Sequence, residues 1–132
     1  PINKTEIINA ILANKQNLKK IINVIHFEIR KKMNLFLKKN RNKKIIILDV
    51  PLLLENKISK KKDILIFVKT KKKDVLKRLK KRKNFNQKIL NKFKSIQLPL
   101  DYKKKKSNFI IKNDFSNNSV KKSVKNILKQ IL

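Results

Sequence analysis

Residues 45–55, Ile-Ile-Ile-Leu-Asp-Val-Pro-Leu-Leu-Leu-Glu, constrain the fold more than any other stretch of the chain. Four apolar residues in succession, three of them β-branched, end at Asp49 and meet Pro51, which has no backbone N–H for a sheet ladder. The pattern predicts a buried strand over Lys44 to Asp49 that opens into a loop. Strands apolar on both faces belong to parallel sheets covered by helices, and in such sheets ligands bind beyond the carboxyl ends of the strands. Asp49 to Glu55 is therefore the first candidate site.

The rest of the chain supplies the helices that such a sheet needs. Asn3 followed by Glu6 marks a helix start, and Ile7, Ile8, Ile11 and Leu12 fall on one face behind it. Leu18, Ile21, Ile22, Ile25, Ile29, Met33, Phe36 and Leu37 then recur at spacings of three and four, which predicts a long amphipathic helix ending near residues 38–42. Ile64 to Val68 form a second strand, and from Lys71 the pattern turns helical, with Val75, Leu76 and Leu79 on one side. A further helix spans Gln87 to Ile96, with Pro99 as its stop. Phe109 to Ile111 read as a third strand, Asp114 to Asn118 as a turn, and Val120, Val124, Ile127, Leu128 and Ile131 as a closing helix. This order of elements predicts one α/β domain with a parallel sheet.

Composition narrows the chemistry. The chain has no cysteine and one histidine, His26, which excludes thiolate and histidine-cluster metal sites within it. It also has no glycine, so a G-x-x-x-x-G-K-[ST] phosphate loop cannot occur in these 132 residues. No apolar run reaches membrane-spanning length and no signal-peptide pattern opens the chain, so a soluble cytoplasmic protein is the expectation. The net charge of +30 raises the alternative of a small basic nucleic-acid-binding protein. The excess, however, is almost all lysine, accompanied by abundant isoleucine and asparagine, all residues with A/T-rich codons. A nucleic-acid reading thus explains the charge and nothing else, while the positive field still favours encounter with anionic ligands such as nucleotides.

Several residues carry candidate chemistry, each beside a plainer role. Asp49 closes an apolar strand, where P-loop enzymes hold Mg²⁺ or its water shell, but a strand-end Asp also serves as a turn or cap residue. Pro51, Leu52, Leu53, Leu54 and Glu55 make either an apolar binding loop closed by a carboxylate or ordinary packing under a helix. Arg78 and Arg82 share a helix face, as a phosphate clamp or as a solvated surface. His26 lies among apolar helix positions, where a partly buried structural histidine is the alternative to a functional one. Asn113 follows the third strand and either reads a base edge or forms a turn.

Together these residues resemble the C-terminal two-thirds of the dephospho-CoA kinases. His26-Phe27-Glu28-Ile29-Arg30 is similar to that family's His-Pro-x-Ile-Arg helix, and Leu48 to Glu55 to its Leu-Asp-Val-Pro-Leu-Leu-Phe-Glu segment. Leu76 to Arg82 resembles its arginine-bearing lid helix, Gln97-Leu98-Pro99 with Lys103 a further marker, and Asn108 to Asp114 its strand and turn. The chain departs from the pattern at Phe27, where proline is expected, at Leu76, where glutamine is, and at Phe115, where glycine is.

The resemblance implies a P-loop kinase-like three-layer parallel sheet, N-terminally incomplete, since the Walker-type loop has no counterpart from Pro1 onward. It implies one partial domain over residues 1–132, with a helical substrate-side part to about residue 43 and a sheet, lid and C-terminal part from about residue 44. The implied activity is transfer of the ATP γ-phosphoryl group to the ribose 3′-hydroxyl of dephospho-CoA, the last step of coenzyme A biosynthesis, with ATP and Mg²⁺ entering as the substrate complex. By the same resemblance, Asp49 and Arg78 act in catalysis, and His26, Pro51, Leu52, Leu53 and Glu55 border dephospho-CoA. Arg78 and Arg82 would close over the ATP phosphates and Asn113 would lie near the adenine. Without the Walker-type loop the chain alone is expected to have little or no activity.

Overall fold

The computed structural model describes residues 3–132, which form an α/β protein with a small parallel sheet, divided into two compact units. The first unit holds the described residues up to Pro51 together with Gln87–Lys92; the second holds Leu52–Asn86 and Phe93–Leu132.

The first unit is built on α1 (Lys4–Ala13) and α2 (Lys15–Lys39). Asn3 starts α1 as the sequence predicts: its Oδ1 accepts from the N–H groups of Thr5 and Glu6, and its amide donates to Glu6 Oε1 at 2.8 Å. Asn14 alone separates the helices. Its extended backbone ends α1 by donating to Ala10 O, while its side chain caps α2 by accepting from Gln16 N–H at 2.8 Å. The helices pack together through Ile11 and Leu18, each 4% exposed. Lys92 then donates to the Ile11 and Leu12 carbonyls, a cation at the negative end of α1.

At 10 residues α1 is about 15 Å long, against about 38 Å for the 25 residues of α2. It therefore covers part of α2 only. Ile25 and Phe36, expected on the buried face, are exposed, and so are Phe27 and Leu35.

The second unit contains β1 (Ile66–Lys69), α3 (Lys72–Lys80), α5 (Leu100–Lys106), β2 (Phe109–Lys112) and α6 (Asn117–Ile131); α4 (Gln87–Ser95) begins in the first unit and ends in the second. β1 and β2 pair in parallel, Ile66 opposite Phe109 and Lys69 opposite Lys112, and the helices between them make the crossover that parallel pairing requires. Asn108 fixes the start of the ladder, accepting from Leu65 N–H through its side chain and donating its own N–H to Leu65 O, both at 2.8 Å. α6 covers β2, burying Ile111 and Ile127.

Three expectations are corrected. The strand predicted over residues 44–49 is absent: among the described residues only β1 and β2 pair, and Ile47 is 84% exposed. Apolar residues in succession make a strand only where a neighbouring strand meets their N–H and C=O groups. β1 lies later than the expected 64–68, because its ladder is anchored at Leu65 by Asn108. Finally, α5 occupies a stretch for which the spacing predicts no element; Pro99 stands at its N-cap position rather than as the stop of α4, which ends at Ser95.

Candidate functional site

Within the second unit a cavity of about 690 Å³ is lined by Asp74, Lys77, Arg78, Lys81, Arg82, Asp114 and Phe115. Every one of these residues follows the carboxyl end of β1 or β2 in the chain, where open parallel sheets place their ligands. Positions 74, 77, 78, 81 and 82 recur at three and four, so a single face of α3 and its C-terminal turn presents them all. Four cations face two carboxylates, which leaves the cavity net positive.

The opposite wall is the turn after β2. Asn113 donates its N–H to Lys69 O at 2.8 Å, which ties the turn to the end of β1. Its Oδ1 accepts from Phe115 N–H at 2.9 Å, so the side-chain oxygen builds the turn. Asp114 Oδ1 accepts from Ser116 N–H and from the Ser119 hydroxyl at 2.6 Å. The Ser119 bond, followed by the Ser116 bond, holds the Asp114 carboxyl below its ordinary pKa and so keeps it anionic. Phe115, with φ at 65°, sits in the left-handed region and places its ring 3.6 Å from the Arg78 guanidinium carbon. Sequence reasoning found Arg78, Arg82 and Asn113 but gave Phe115 no role.

A second polar cluster in the same unit surrounds Glu55. The segment from Leu52 is wound into a tight turn, with Leu52 at φ 54° and Lys57 at φ 51°; Asn56 closes it by donating its backbone and side-chain N–H groups to Leu52 O. The turn directs Glu55 Oε1 to Leu98 N–H at 3.0 Å and to Lys103 Nζ at 2.6 Å. Burial pushes the Glu55 carboxyl up, but the hydrogen bonds from Lys103 and Leu98 outweigh it and hold the pKa below the ordinary value. Glu55 thereby fastens the turn to the start of α5.

The remaining predicted residues are placed as follows. In the first unit His26 is buried on α2, Asp49 and Pro51 are exposed. In the second, Leu52 and Leu53 are half-buried in the turn. Arg78, Arg82, Asp114 and Phe115 are brought to one cavity, and Glu55 is joined to Lys103 instead. Among the described residues there is no group of three or more His, Cys, Asp or Glu side chains that could hold a metal ion, and no helix is long and apolar enough to cross a membrane. A smaller cavity of about 310 Å³ lies beside the strands, lined by Lys69, Lys104, Ile110, Lys112 and Ser123.

A small parallel sheet flanked by helices, with a basic cavity beyond its carboxyl edge, makes this an α/β protein consistent with a kinase-like fold. The comparisons with known proteins narrow this class to one family. The family model described as dephospho-CoA kinase matches residues 2–119, and the chain belongs to that family. It is 31% identical over 129 residues to a dephospho-CoA kinase of Wolbachia pipientis wMel, covering 96% of this chain and 66% of that protein. A dephospho-CoA kinase of the Wolbachia of Brugia malayi is 30% identical with the same coverage, and one of Bartonella quintana is 25% identical over 112 residues, 83% of this chain and 57% of that protein. The chain thus spans just under two-thirds of the length of the first two relatives and less of the third.

Proposed function

We propose that this chain serves ATP-dependent phosphorylation of the ribose 3′-hydroxyl of dephospho-CoA, the last step of coenzyme A biosynthesis, in the cytoplasm. Residues 1–132 would act as one domain of a P-loop kinase-like three-layer architecture. The observation that carries the reading is the cavity of α3 and the 113–115 turn, where Arg78 and Arg82 share one face. Guanidinium forks match phosphate oxygens two at a time, so this face suits the ATP polyphosphate, and its charge falls where negative charge spreads during phosphoryl transfer.

In this reading Arg78 and Arg82 grip the phosphates, Arg78 acting also in the transfer itself. Asn113 builds the turn beside the adenine, and Asp49 acts in catalysis. His26, Pro51, Leu52, Leu53 and Glu55 belong to the dephospho-CoA side, with Glu55 acting through the turn it fastens. Since the chain contains no glycine, it has no Gly-rich loop to cradle the β- and γ-phosphates, and the 132 residues alone should turn over little or no ATP.

Calorimetric titration with ATP and Mg²⁺ tests the reading. Arg78→Ala should weaken ATP binding by about tenfold, the loss of one charge-assisted hydrogen-bonding partner. Unchanged affinity in Arg78→Ala, with duplex DNA bound in a steeply salt-dependent way, would favour the nucleic-acid alternative instead. With dephospho-CoA added, turnover by these residues in the range of ordinary kinases, about 1–100 per second, would contradict the predicted inactivity.

A further inference from the structure

The contact between Arg78 and Phe115 links two residues 37 positions apart, and the turn that makes it holds a conformation that phenylalanine disfavours. At φ 65° the Phe115 Cβ crowds the backbone, which is why Gly or Asn usually occupies such positions. The conformation persists because hydrogen bonds over-determine it. Asn113 Oδ1 accepts from Phe115 N–H, Asp114 Oδ1 accepts from Ser116 N–H and the Ser119 hydroxyl, and Asn113 N–H is anchored on Lys69 O. The product of this strained, fastened turn is an aromatic face held against the Arg78 guanidinium.

We propose that Phe115 is a positioning residue that pre-orders Arg78 for a polyphosphate ligand, an inference that rests on the reading of Arg78 as a phosphate-gripping group. A guanidinium stacked on a ring is engaged through its π face, while its N–H donors, all in the guanidinium plane, stay available at the edge. Lys77, Lys81 and Arg82 line the same cavity and repel Arg78, against the attraction of Asp74 and Asp114; the ring face adds to that attraction and restricts the long side chain before ligand arrives. Ordering a side chain in advance removes part of the entropic cost of binding. The ring therefore acts on phosphate affinity through Arg78 and makes no contribution of its own to the nucleobase.

The test uses the 132-residue chain, with inorganic tripolyphosphate, ATP and adenosine as probes in calorimetric titrations at physiological ionic strength. Phe115→Asn and Phe115→Gly remove the ring and both tolerate a positive φ, so both should fold, as thermal melts monitored by circular dichroism verify. Each should weaken tripolyphosphate and ATP by about three- to fivefold, the equilibrium equivalent of an exposed cation–π contact, and leave adenosine unchanged. Phe115→Tyr, which keeps the ring, should bind as the wild type does. In an Arg78→Ala background the Phe115 substitutions should cost nothing further.

If Arg78→Ala leaves tripolyphosphate affinity unchanged, the reading of Arg78 itself falls and takes this inference with it. If Arg78→Ala weakens binding but the Phe115 variants do not, or if they weaken it equally without Arg78, only the positioning role is overturned. An equal loss for adenosine and ATP would show the ring acting on the base, and would overturn it as well.

Discussion

Removing the Glu55 carboxylate should loosen the second unit by an amount that can be worked from its geometry. One oxygen, Oε1, meets Lys103 Nζ at 2.6 Å and Leu98 N–H at 3.0 Å, with the two charged side chains 10% and 21% exposed for Glu55 and Lys103. A hydrogen bond to a charged group contributes about 1.5–3 kcal/mol, and breaking a fully buried pair costs about 3–5 kcal/mol. Residual access to water places Glu55→Ala below the second range, at about 2–3 kcal/mol. For a chain of this size each kcal/mol moves Tm by roughly 3–5 °C, so the sheet-containing transition should fall by about 10 °C at pH 7.

The pH dependence has a defined sign. The Glu55 pKa in the folded protein is below its ordinary value of 4.5, so the stability it contributes is complete above that value and is lost as pH falls through the folded pKa. Glu55→Gln keeps an acceptor oxygen and cannot ionise; it should cost about 1 kcal/mol at pH 7. Its gap from the wild type should then close as the medium is brought from pH 5 to below the folded pKa. Thermal melts followed by circular dichroism across that range read both effects. A Glu55→Ala protein that melts within about 2 °C of the wild type at pH 7, or a wild-type-to-Gln gap that does not narrow in acid, refutes the reasoning.

Two further predictions concern the frame around the site. Ile127→Ala, which opens a void between α6 and β2, should destabilise by about 2–4 kcal/mol in urea unfolding, with wild-type behaviour excluding that packing. Lys57 is exposed at φ 51°, so Lys57→Gly should be neutral or stabilise by up to about 1 kcal/mol while Lys57→Val destabilises, and thermal melts of the two should diverge in that order.

The elements legible in the sequence were those whose signals are local. Asn3 with Glu6 announced α1, the three-and-four spacing from Leu18 to Leu37 announced α2, and Phe109 to Ile111 announced β2. The 44–49 stretch misled because a run of isoleucines reports only a capacity for pairing, and pairing also needs a partner strand. α5 was hidden by its own lysines, although Pro99 before Leu100, Asp101 in the first turn and four lysines at its end are the charge order that a helix dipole favours.

The site divided along the same line. Arg78 and Arg82 could be placed on one face from their spacing alone, whereas the Phe115 ring reaches Arg78 only through a turn held by Asn113 and Asp114 and tied to β1. Glu55 was legible as a carboxylate ending an apolar loop, but its partners lie 43 and 48 residues further along, beyond any local pattern.

The cavity formed by α3 and the 113–115 turn is proposed to grip the phosphates of ATP. Backbone amide chemical-shift mapping of the isotope-labelled chain during titration with ATP and Mg²⁺ tests it most directly. Saturable shifts should concentrate at residues 74–82 and 113–115 and largely disappear in Arg78→Ala. Shifts spread evenly over the lysine-rich surface, unaffected by Arg78→Ala and abolished by moderate salt, would contradict it.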